Sequence, residues 1–590
     1  MRILLSAINA KYIHSSLAIR SLAAYCRPLF PSIEIEDYSI NNKVQDILAD
    51  VYARQPDVVG LSCYIWNREM VLELAQLIRQ VLPQTIIVLG GPEVSYDALD
   101  ILAENPAVDY VVQGEGEETF RLLLKALEEK NSTADIVGLG RRTDGGIIAE
   151  GVPQVVGELG TLPFMYTEDD LAELKDKIIY YESTRGCPFS CRYCLSSATQ
   201  GVRYHSKERV LQELKFFIKA GVRQVKFVDR TFNADPKHYL PILRFLSAAE
   251  TKTNFHFEIS ADYLTEEALD ILCNAPHGRF QLEIGIQSTY LPTLAAITRR
   301  NNWGLISANV RRLREAGRTH LHLDLIAGLP CESYERFAES FNDVFGLRPH
   351  MLQLGFLKML KGSEMRNNAA TYGYEFMQKP PYEVLSNDCL PYEKMRRLKI
   401  IEDILEEVYN SGRFEQTVNW FVEIHNNAFQ FFEELSFYWE EKGYHRIAHS
   451  AKSIALYLVE YCRKKYPQHS GRCKDLLKFD ALNIISGRVK ADFLDWNDER
   501  TQLDCDNFWR SESLVGKYIA DYKFNNWREQ KRLYHIELFD RATVECLCGK
   551  KANDYSRDCL PILFDYRGIK PQWQVIAAED FERRGGQNAL

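Results

Sequence analysis

One pattern occurs twice along the chain: a short apolar run leads into a turn and then into a helical segment. In the first stretch the apolar runs are RILLSAI, IEIEDYSI, DVVGLSCY, TIIVLGGP and DYVVQGEGE, and helical stretches separate them. Continuous apolar runs of this length predict strands that are buried on both faces, as in parallel sheets covered by helices. The first stretch therefore predicts a doubly wound α/β domain with about five parallel strands.

A second series of strands and helices follows a looser connector. Its apolar runs are KIIYYEST, QVKFVDR, NFHFEIS, RFQLEIGIQ, HLHLDLIAG and MLQLGFLK. The intervening helical runs SKERVLQELKFFIKAG and WGLISANVRRLREAG both end in glycine, which is a common helix stop. These strand–helix units are fewer than in a complete parallel barrel, so the sequence predicts a partial barrel with its chemistry at the carboxyl ends of the strands.

Length and composition exclude several classes of protein. A chain of 590 residues is too long for one hydrophobic core, and its net charge of -9 argues against a protein that coats nucleic acid. The apolar start MRILLSAINAKYIHSS is too short for a signal peptide, and no apolar stretch approaches the length that spans a bilayer. We therefore expect a cytoplasmic protein without a membrane partner, whose 14 cysteines are reduced thiols or metal ligands.

Three cysteines, Cys187, Cys191 and Cys194, lie within eight residues in STRGCPFSCRYCLSS, directly after the first strand of the second series. Cysteine thiolates hold iron–sulfur clusters, and four irons served by three cysteines leave one iron without a protein ligand. An open position of this kind is a mark of catalytic metal sites, whereas closed sites are structural. The alternative is a zinc site that a distant ligand such as His205 completes.

The spacing C-P-F-S-C-R-Y-C resembles the radical S-adenosylmethionine (SAM) superfamily. The resemblance implies a [4Fe-4S] cluster on Cys187, Cys191 and Cys194, with SAM bound to the open iron and cleaved to a 5'-deoxyadenosyl radical. Strand-end stretches FVDRTFN, FEIS, LEIGIQS and DLIAGLPCES match the family's SAM site, although Arg230 stands where an acidic residue or Asn is usual and Cys331 replaces a glycine. The SAM contacts that the resemblance implies are Tyr193, Asp229, Glu258, Ser260, Glu283, Gln287, Gly328 and Pro330.

The doubly wound domain in front of the barrel resembles the cobalamin-binding class of radical SAM proteins, through DVVGLSCY, VLGGPEVS and DYVVQGEGEETF. The cobalamin contacts that this resemblance implies are Ser62, Gly90, Gly91, Gly114, Glu115 and Gly116. The alternative is a nucleotide-binding Rossmann domain. Its glycine motif should follow a strand directly, and the acidic loop GEGEET is a poor match because it repels a pyrophosphate.

Many cobalamin domains carry Asp-x-His-x-x-Gly after the first strand, and the histidine ligates cobalt. The matching loop here reads NAKYIHSS, in which His14 is shifted and the rest of the motif is missing. We therefore expect no histidine below the metal, although His14 stays a candidate lower ligand. A cobalt without a strong ligand on its lower face suits methyl transfer by the corrinoid.

Long amphipathic helices dominate the chain beyond residue 370, and the whole chain resembles cobalamin-binding radical SAM proteins with a DUF4080-type C-terminal region. This part contains Trp420, Trp439, Trp496, Trp509, Trp527 and Trp573, which could stack on a flat substrate or simply pack in a core. Cys546, Cys548 and Cys559 are candidate ligands of a second metal site or plain buried thiols.

The fold expected is thus α/β: a doubly wound, Rossmann-like cobalamin-binding domain, a partial (β/α)6 TIM-type radical SAM barrel and a mainly helical C-terminal domain. The expected boundaries are 1–135, a linker at 136–172, 173–370 and 371–590.

The resemblance implies a cobalamin-dependent radical SAM enzyme that methylates an unactivated carbon through a 5'-deoxyadenosyl radical and methylcobalamin. Alternatives are non-methylating radical chemistry with the same cofactors, such as rearrangement, cyclisation or sulfur chemistry on a tRNA base, and a non-catalytic cobalamin or redox sensor. The partners implied are an unidentified small molecule, peptide or tRNA base and an electron donor such as flavodoxin or ferredoxin.

Overall fold

The structure, a computed structural model, describes residues 1–149, 155–198, 201–484, 491–550, 558–568 and 570–581. It divides into two compact units, Met1–Met395 and Arg396–Leu590. The first unit contains both predicted α/β domains, and its end lies beyond residue 370, where the sequence analysis placed the start of the C-terminal domain.

The first domain is built on a seven-stranded sheet in the order β2-β1-β3-β4-β5-β6-β7, in which β1 to β5 are parallel. Its strands are β1 (Ile3–Asn9), β2 (Ile33–Ser39), β3 (Val58–Ser62), β4 (Ile86–Gly90), β5 (Tyr110–Val112), β6 (Leu139–Thr143) and β7 (Gly146–Ile148). The helices that accompany it are α1 (Leu17–Cys26), α2 (Val44–Arg54), α3 (Arg68–Val81), α4 (Pro92–Ser95), α5 (Ala98–Glu104) and α6 (Gly116–Glu129).

Helices cover both faces of this sheet, which confirms the doubly wound prediction. One core joins Leu4 and Leu61 of the sheet to Leu74 of α3, and the opposite core joins Leu5 to Ala23 of α1 and Phe120 of α6. Strand order reverses between β1 and β3, so a ligand crevice is expected outside the carboxyl ends of these two strands.

The predicted connector does more than link two domains. Its β6 and β7 pair antiparallel with the edge of the first sheet, and α7 (Glu168–Glu173) follows them. Residues 150–154 of the connector lie outside the described residues.

The second domain contains a six-stranded parallel sheet in the order β15-β14-β13-β12-β11-β8. Strands and helices of this region are β8 (Ile179–Tyr181), β9 (Thr184–Cys187), β10 (Gly201–Tyr204), α8 (Lys207–Ala220), β11 (Gln224–Phe227), α9 (Pro236–Ala248), β12 (Asn254–Ile259), α10 (Glu266–Asn274), β13 (Phe280–Gln287), α11 (Leu291–Ala296), α12 (Trp303–Ala316), β14 (His320–Ala327), α13 (Tyr334–Phe345) and β15 (Met351–Phe356). Each of the six parallel strands lies within a predicted run, which confirms the partial barrel.

Alternation along the barrel strands places apolar side chains against the helices and polar ones inside. On β13, for example, Leu282 and Ile284 are buried while Glu283 and Gln287 are only partly buried. Two hairpins were not expected. One is β9–β10, and the other is β16 (Glu375–Phe376) with β17 (Val384–Ser386), which follows α14 (Glu364–Asn367).

The second unit begins within α15 (Tyr392–Ile404) and is mainly helical, as predicted. Its other helices are α16 (Glu415–His425), α17 (Ala428–Glu441), α18 (Ala451–Lys465), α19 (Ser470–Leu482), α20 (Glu499–Arg510), α21 (Glu512–Val515), α22 (Trp527–Leu533), α23 (Arg541–Leu547) and α24 (Ala578–Phe581). It also contains an antiparallel sheet, not expected from the sequence, formed by β18 (Tyr534–Asp540), β19 (Cys559–Asp565) and β20 (Gln572–Val575).

Candidate active site of the first unit

The three predicted cluster ligands lie at the carboxyl end of the first barrel strand. Cys187 is the last residue of β9. The cysteine loop, residues 187–194, lies between β9 and β10, and these two strands pair antiparallel. The Cys187 Sγ lies 3.7 Å from the Oγ1 of Thr231, which follows β11. The backbone N–H of Cys194 donates to the carbonyl of Cys191 at 3.0 Å, which closes a tight turn between two of the thiols.

A partly buried guanidinium faces this loop. Arg299 Nη1 lies 3.7 Å from Cys191 Sγ, and its Nη2 donates to the carbonyl of Gly285 on β13. Burial raises the pKa of the Cys191 thiol, and the Arg299 charge opposes this rise while Cys194 and Cys187 add to it. The three thiols are therefore electrostatically coupled, and Arg299 favours the thiolate form that binds iron. Sequence analysis missed Arg299, although its signal was the charged pair in ITRRN shortly after LEIGIQS.

An ion-pair layer crosses the barrel interior. The Glu283 carboxylate accepts from Lys226 Nζ at 3.0 Å and lies 3.0 Å from His256 Nε2. Burial opposes ionisation of Glu283, but the His256 hydrogen bond and the Lys226 charge outweigh it and lower the pKa to about 2. Asp324 lies 3.0 Å from His322 in the same layer.

Ligand atoms of Glu283, His322 and Asp324 lie within 4.8 Å of one another, and they form the one such metal-ligating triad among the residues that the structure describes. Because Lys226 and His256 already compensate Glu283, and His322 faces Asp324, these charges are balanced without a cation. Glu283, predicted as a SAM contact, therefore has side-chain partners within the barrel.

Two other predicted SAM residues remain open to a ligand. Glu258 on β12 is largely buried, and burial together with the Glu283 carboxylate raises its pKa to about 7. Gln287 follows a register shift on β13, its backbone has φ of 69°, and its Oε1 is buried without a hydrogen-bond partner among the described residues. A non-glycine residue held at positive φ stores strain, and such strain concentrates at functional sites.

Tyr193, the aromatic residue before the last cysteine, is electrostatically coupled to Arg299 and to the neighbouring thiols. Burial raises its pKa, Arg299 opposes the rise, and Cys191 and Cys194 reinforce it. Its role as a SAM contact stays a prediction.

Four predicted SAM contacts are engaged within the protein. Asp229 is fully buried and accepts from the backbone N–H groups of Ser183 at 2.8 Å and Thr184 at 3.2 Å, so it holds the start of β9, the strand that leads to the cysteine loop. The remaining three have internal partners as well: Ser260 donates to Asp262, the Gly328 carbonyl accepts from Tyr374 and Asn387, and the Pro330 carbonyl accepts from Thr293. Ser288, on the same strand end as Gln287, donates to Glu332.

The predicted corrinoid edge is formed by loops that follow β3, β4 and β5. Ser62 ends β3, and its buried hydroxyl has no hydrogen-bond partner among the described residues. Gly90 ends β4 and Gly91 follows it; Gly91 has φ of 111°, and Cys63 O lies only 2.5 Å from where its Cβ would stand. Gly114, at φ 72°, lies after β5. These residues share one sheet edge, where the lack of a Cβ lets the backbone of Gly91 pack closely against that of Cys63.

The last two predicted cobalamin contacts have other roles. Glu115 forms ion pairs with Arg185 and Arg203 of the β9–β10 hairpin. A Cβ on Gly116 would lie 3.2 Å from Val112 Cγ1 and 3.3 Å from Leu22 Cδ2, so this glycine allows α6 to approach α1 closely. Neither role is visible in the motif GEGE, because the partners come from distant parts of the chain.

His14 is tied to the barrel. Its Nδ1 lies 2.7 Å from the hydroxyl of Tyr180 on β8, and the carbonyl of Ile13 accepts from Ile178 N at 2.8 Å. Burial lowers the His14 pKa, and the charges of Lys11 and Lys226 lower it further. This contact uses the Nδ1 nitrogen alone, so the expectation that no histidine ligates the cobalt from below stays a prediction.

Family models match the chain in three consecutive blocks. The B12 binding domain matches residues 3–124, the Radical SAM superfamily residues 181–344, and the Protein of unknown function (DUF4080) family residues 370–564. The chain thus combines a part that matches B12 binding domains, a part that matches the Radical SAM superfamily and a part that matches the DUF4080 family. The resemblance drawn from the sequence is thus confirmed, with the domains in the predicted order.

Two of the curated proteins to which the chain is similar are named as methyltransferases. One is 2-(S-pantetheinyl)-carbapenam-3-carboxylate methyltransferase from Streptantibioticus cattleyicolor, 30% identical over 336 residues, which are 52% of this chain and 47% of that protein. The other is the cobalamin-dependent radical SAM methyltransferase TokK from Streptomyces tokunonensis, 29% identical over 321 residues, which are 50% of this chain and 44% of that protein. The chain spans about half the length of these relatives.

Among solved structures, the cobalamin-dependent S-adenosylmethionine radical enzyme OxsB with aqua-cobalamin bound superposes with a TM-score of 0.56. The match covers 86% of this chain and 75% of that chain at 16% identity. At this identity the likeness concerns the fold, and it confirms the expected α/β architecture.

The DUF4080 part uses its tryptophans mainly for packing. Trp420, Trp439 and Trp509 are at most 4% exposed, and Trp496, Trp527 and Trp573 pack partly buried against the unit's cores. None of Cys546, Cys548 and Cys559 belongs to a group of three potential metal ligands among the described residues. Across the described part of the chain, no helix combines the length and apolar character needed to cross a membrane.

Proposed function

We propose that this protein is a cobalamin-dependent radical SAM enzyme that methylates an unactivated carbon of a substrate not yet identified. The observation that carries the proposal is that one compact unit holds both a three-thiol loop at the mouth of a parallel barrel and a glycine-bordered sheet edge of a B12-binding domain. The names of the two curated relatives, both methyltransferases, support the choice of methyl transfer over other radical chemistry.

The residues present fit the three groups that such an enzyme needs. Cys187, Cys191 and Cys194 supply a donor set of three thiols for a [4Fe-4S] cluster, and Arg299 stabilises the thiolate of Cys191. Glu258 and Gln287 offer uncommitted oxygens at the barrel mouth for the polar groups of SAM. Ser62, Gly91 and Gly114 border the edge for the corrinoid, and a Cβ at Gly91 would clash with the Cys63 carbonyl beside this edge.

Together, the bound cofactors supply a 5'-deoxyadenosyl radical for hydrogen abstraction and a corrinoid-borne methyl group. The protein's own contribution is to hold the reacting groups at the facing edges of two domains and to keep water from them. The reaction also needs electrons, and we propose a flavodoxin or ferredoxin in the cytoplasm as their source.

The test begins with anaerobic purification in the presence of cobalamin, followed by iron, sulfide and corrinoid analysis. The protein is then incubated with SAM and dithionite, and the nucleoside products are quantified. Formation of both S-adenosylhomocysteine and 5'-deoxyadenosine supports a methylating enzyme. The Cys191→Ala variant is the control, because it should yield no 5'-deoxyadenosine.

A second candidate is radical chemistry with the same cofactors but without methyl transfer. It is favoured by the structural likeness to OxsB, which is named a radical enzyme and not a methyltransferase. It predicts 5'-deoxyadenosine without S-adenosylhomocysteine. Cofactor binding without any cleavage of SAM would instead indicate a sensor and would refute both enzymatic proposals.

A further inference from the structure

The β9–β10 hairpin, which leads into and out of the cysteine loop, has an unfavourable charge pattern of its own. Its register pairs Arg185 directly with Arg203 and Cys187 with Gly201. Like charges directly opposite each other destabilise an antiparallel pair, and an isolated two-stranded hairpin is at best marginally stable. The two arginines of the hairpin therefore need compensating charges, which other residues of the chain supply.

Those charges come from the B12-binding domain. Arg203 forms a bidentate pair with Glu115, at 2.5 Å from Nη2 to Oε1 and 2.9 Å from Nη1 to Oε2. Arg185 Nη2 lies 2.9 Å from Glu117 Oε1, and its Nη1 lies 3.3 Å from Glu115 Oε2. Glu182, just before the hairpin, accepts from Arg185 at 2.8 Å. We call these five residues the hairpin network.

The side chains of the hairpin network are largely buried, and two of its carboxylates also accept hydrogen bonds from residues outside the network. Its side chains are between 6% and 19% exposed, so water screens the pairs much less than at a surface. Glu117 also accepts from Ser21 of α1 at 2.8 Å, and Glu115 accepts from the N–H of Val156 at 2.6 Å. Both carboxylates are thus held at the N-terminus of α6, where the helix dipole favours negative charge.

A short path of contacts joins the two candidate cofactor sites through this network. Gly114, at the corrinoid edge, is adjacent in sequence to Glu115, and Arg185 lies two residues before Cys187. The bidentate geometry of guanidinium and carboxylate fixes orientation as well as distance. On the basis of the proposed function, we propose that the hairpin network sets the distance and orientation between the iron–sulfur cluster with its SAM and the corrinoid. Arg185, Arg203, Glu115, Glu117 and Glu182 are then positioning residues.

The experiment compares wild type with Arg185→Gln and Glu117→Gln, each loaded with cluster and cobalamin. The first readout is the distribution of distances between cob(II)alamin and the reduced cluster, measured by pulsed electron paramagnetic resonance. Wild type should give one narrow distribution, and both variants should give a broadened or shifted one. Iron and corrinoid contents should stay at wild-type stoichiometry, because the ligands themselves are unchanged.

The second readout separates two uses of SAM. Transfer of a methyl group from SAM to the reduced corrinoid breaks the sulfonium–methyl bond and releases S-adenosylhomocysteine. This transfer needs the two domains in the correct relative position. Titanium(III) citrate supplies the electrons that reduce the corrinoid. Cleavage of SAM to 5'-deoxyadenosine needs only the barrel. A misplacement of about 1 Å between reacting groups can cost about 10²-fold in rate. The variants should therefore lose at least about 10-fold in methyl transfer and stay within about 2-fold of wild type in 5'-deoxyadenosine.

The matched control is Arg244→Gln, which removes a guanidinium from the exposed Arg244–Glu267 pair of the same domain and should behave as wild type in both readouts. The charge-reversed pair Arg185→Glu with Glu117→Arg should recover part of the methyl transfer that Arg185→Glu alone loses. If Arg185→Gln fails to fold, Arg203→Gln tests the same network from the opposite strand.

Variants with the wild-type distance distribution and the wild-type rate of methyl transfer would overturn the inference. Loss of 5'-deoxyadenosine in parallel with methyl transfer would also overturn it, since that result indicates damage to the barrel. Failure of the proposed function looks different, because wild type itself would then transfer no methyl group while the distance measurement could still be made.

Discussion

At the scale of single residues, the three thiols of the cysteine loop carry the sharpest prediction. We expect Cys187→Ala, Cys191→Ala and Cys194→Ala each to abolish the iron–sulfur absorbance of anaerobically purified protein, because each supplies one of three proposed ligands. Cys389→Ala is the matched control, since Cys389 is an exposed thiol of the same unit outside the cysteine loop. Full iron content in any of the three variants would remove that residue from the ligand set.

Glu258 should make stability depend on pH. Its pKa rises from the ordinary value to about 7 in the folded protein, so folding favours the protonated form. This contribution is fully present below the unfolded pKa and is lost as pH rises through about 7. We expect Glu258→Gln to unfold at the same denaturant concentration as wild type near pH 4, and to be more stable by about 3 kcal/mol at pH 8. Equal stability at both pH values would show that Glu258 ionises normally.

Gly114 allows the corrinoid edge to be tested apart from the cluster. We expect Gly114→Val to reduce retained corrinoid strongly during gel filtration while iron content stays at the wild-type level, because the two groups bind in different domains. The substitution combines a side chain at the proposed contact with strain at φ 72°. Gly221→Val, at φ 67° after α8 with open space around it, carries similar strain and should retain the corrinoid.

At the scale of elements, the β9–β10 hairpin offers a matched pair of glycines. A Cβ at Gly186 would stand 2.1 Å from the carbonyl oxygen of Gly201, whereas a Cβ at Gly201 would meet nothing within 4 Å. Both glycines have positive φ, so Gly201→Ala measures the conformational strain alone, roughly 1 kcal/mol. We expect Gly186→Ala to lose most of its iron and Gly201→Ala to keep it, as measured by iron per chain. Equal iron in both would mean that the cysteine loop tolerates an opened hairpin.

The parallel strands could be predicted because each is a continuous apolar or alternating run that ends in glycine or in polar residues. The hairpins could not be predicted, because β9 and β10 are four residues long and carry arginines whose partners lie some 70 to 90 positions earlier in the chain. For the same reason the ion pairs of Glu115 and the contact of Arg299 with Cys191 were not predicted. Motif spacing indicates a group of candidate cofactor contacts, but not which of them are already bonded to the protein.

At the scale of the whole molecule, the two compact units should respond differently to cofactors. We expect anaerobic calorimetry to show two unfolding transitions, of which only one moves to higher temperature when cobalamin and SAM are added, since a ligand stabilises the unit that binds it. Leu435→Ala, a change in the core of the second unit, should lower the other transition alone, by about 2–5 kcal/mol in stability. A single transition that moves in both experiments would show that the units unfold together.

The ion pairs that the β9–β10 hairpin makes with Glu115 and Glu117 also bear on biosynthesis. These two carboxylates precede Cys187 by about seventy residues, so α6 forms during translation before the three thiols leave the ribosome. The proteins that deliver iron and sulfide then act on a cysteine loop whose flanking hairpin is already held by these ion pairs. A circular permutant that is translated barrel-first would reverse this order, and nascent chains would expose three reactive thiols with nothing to hold them in place.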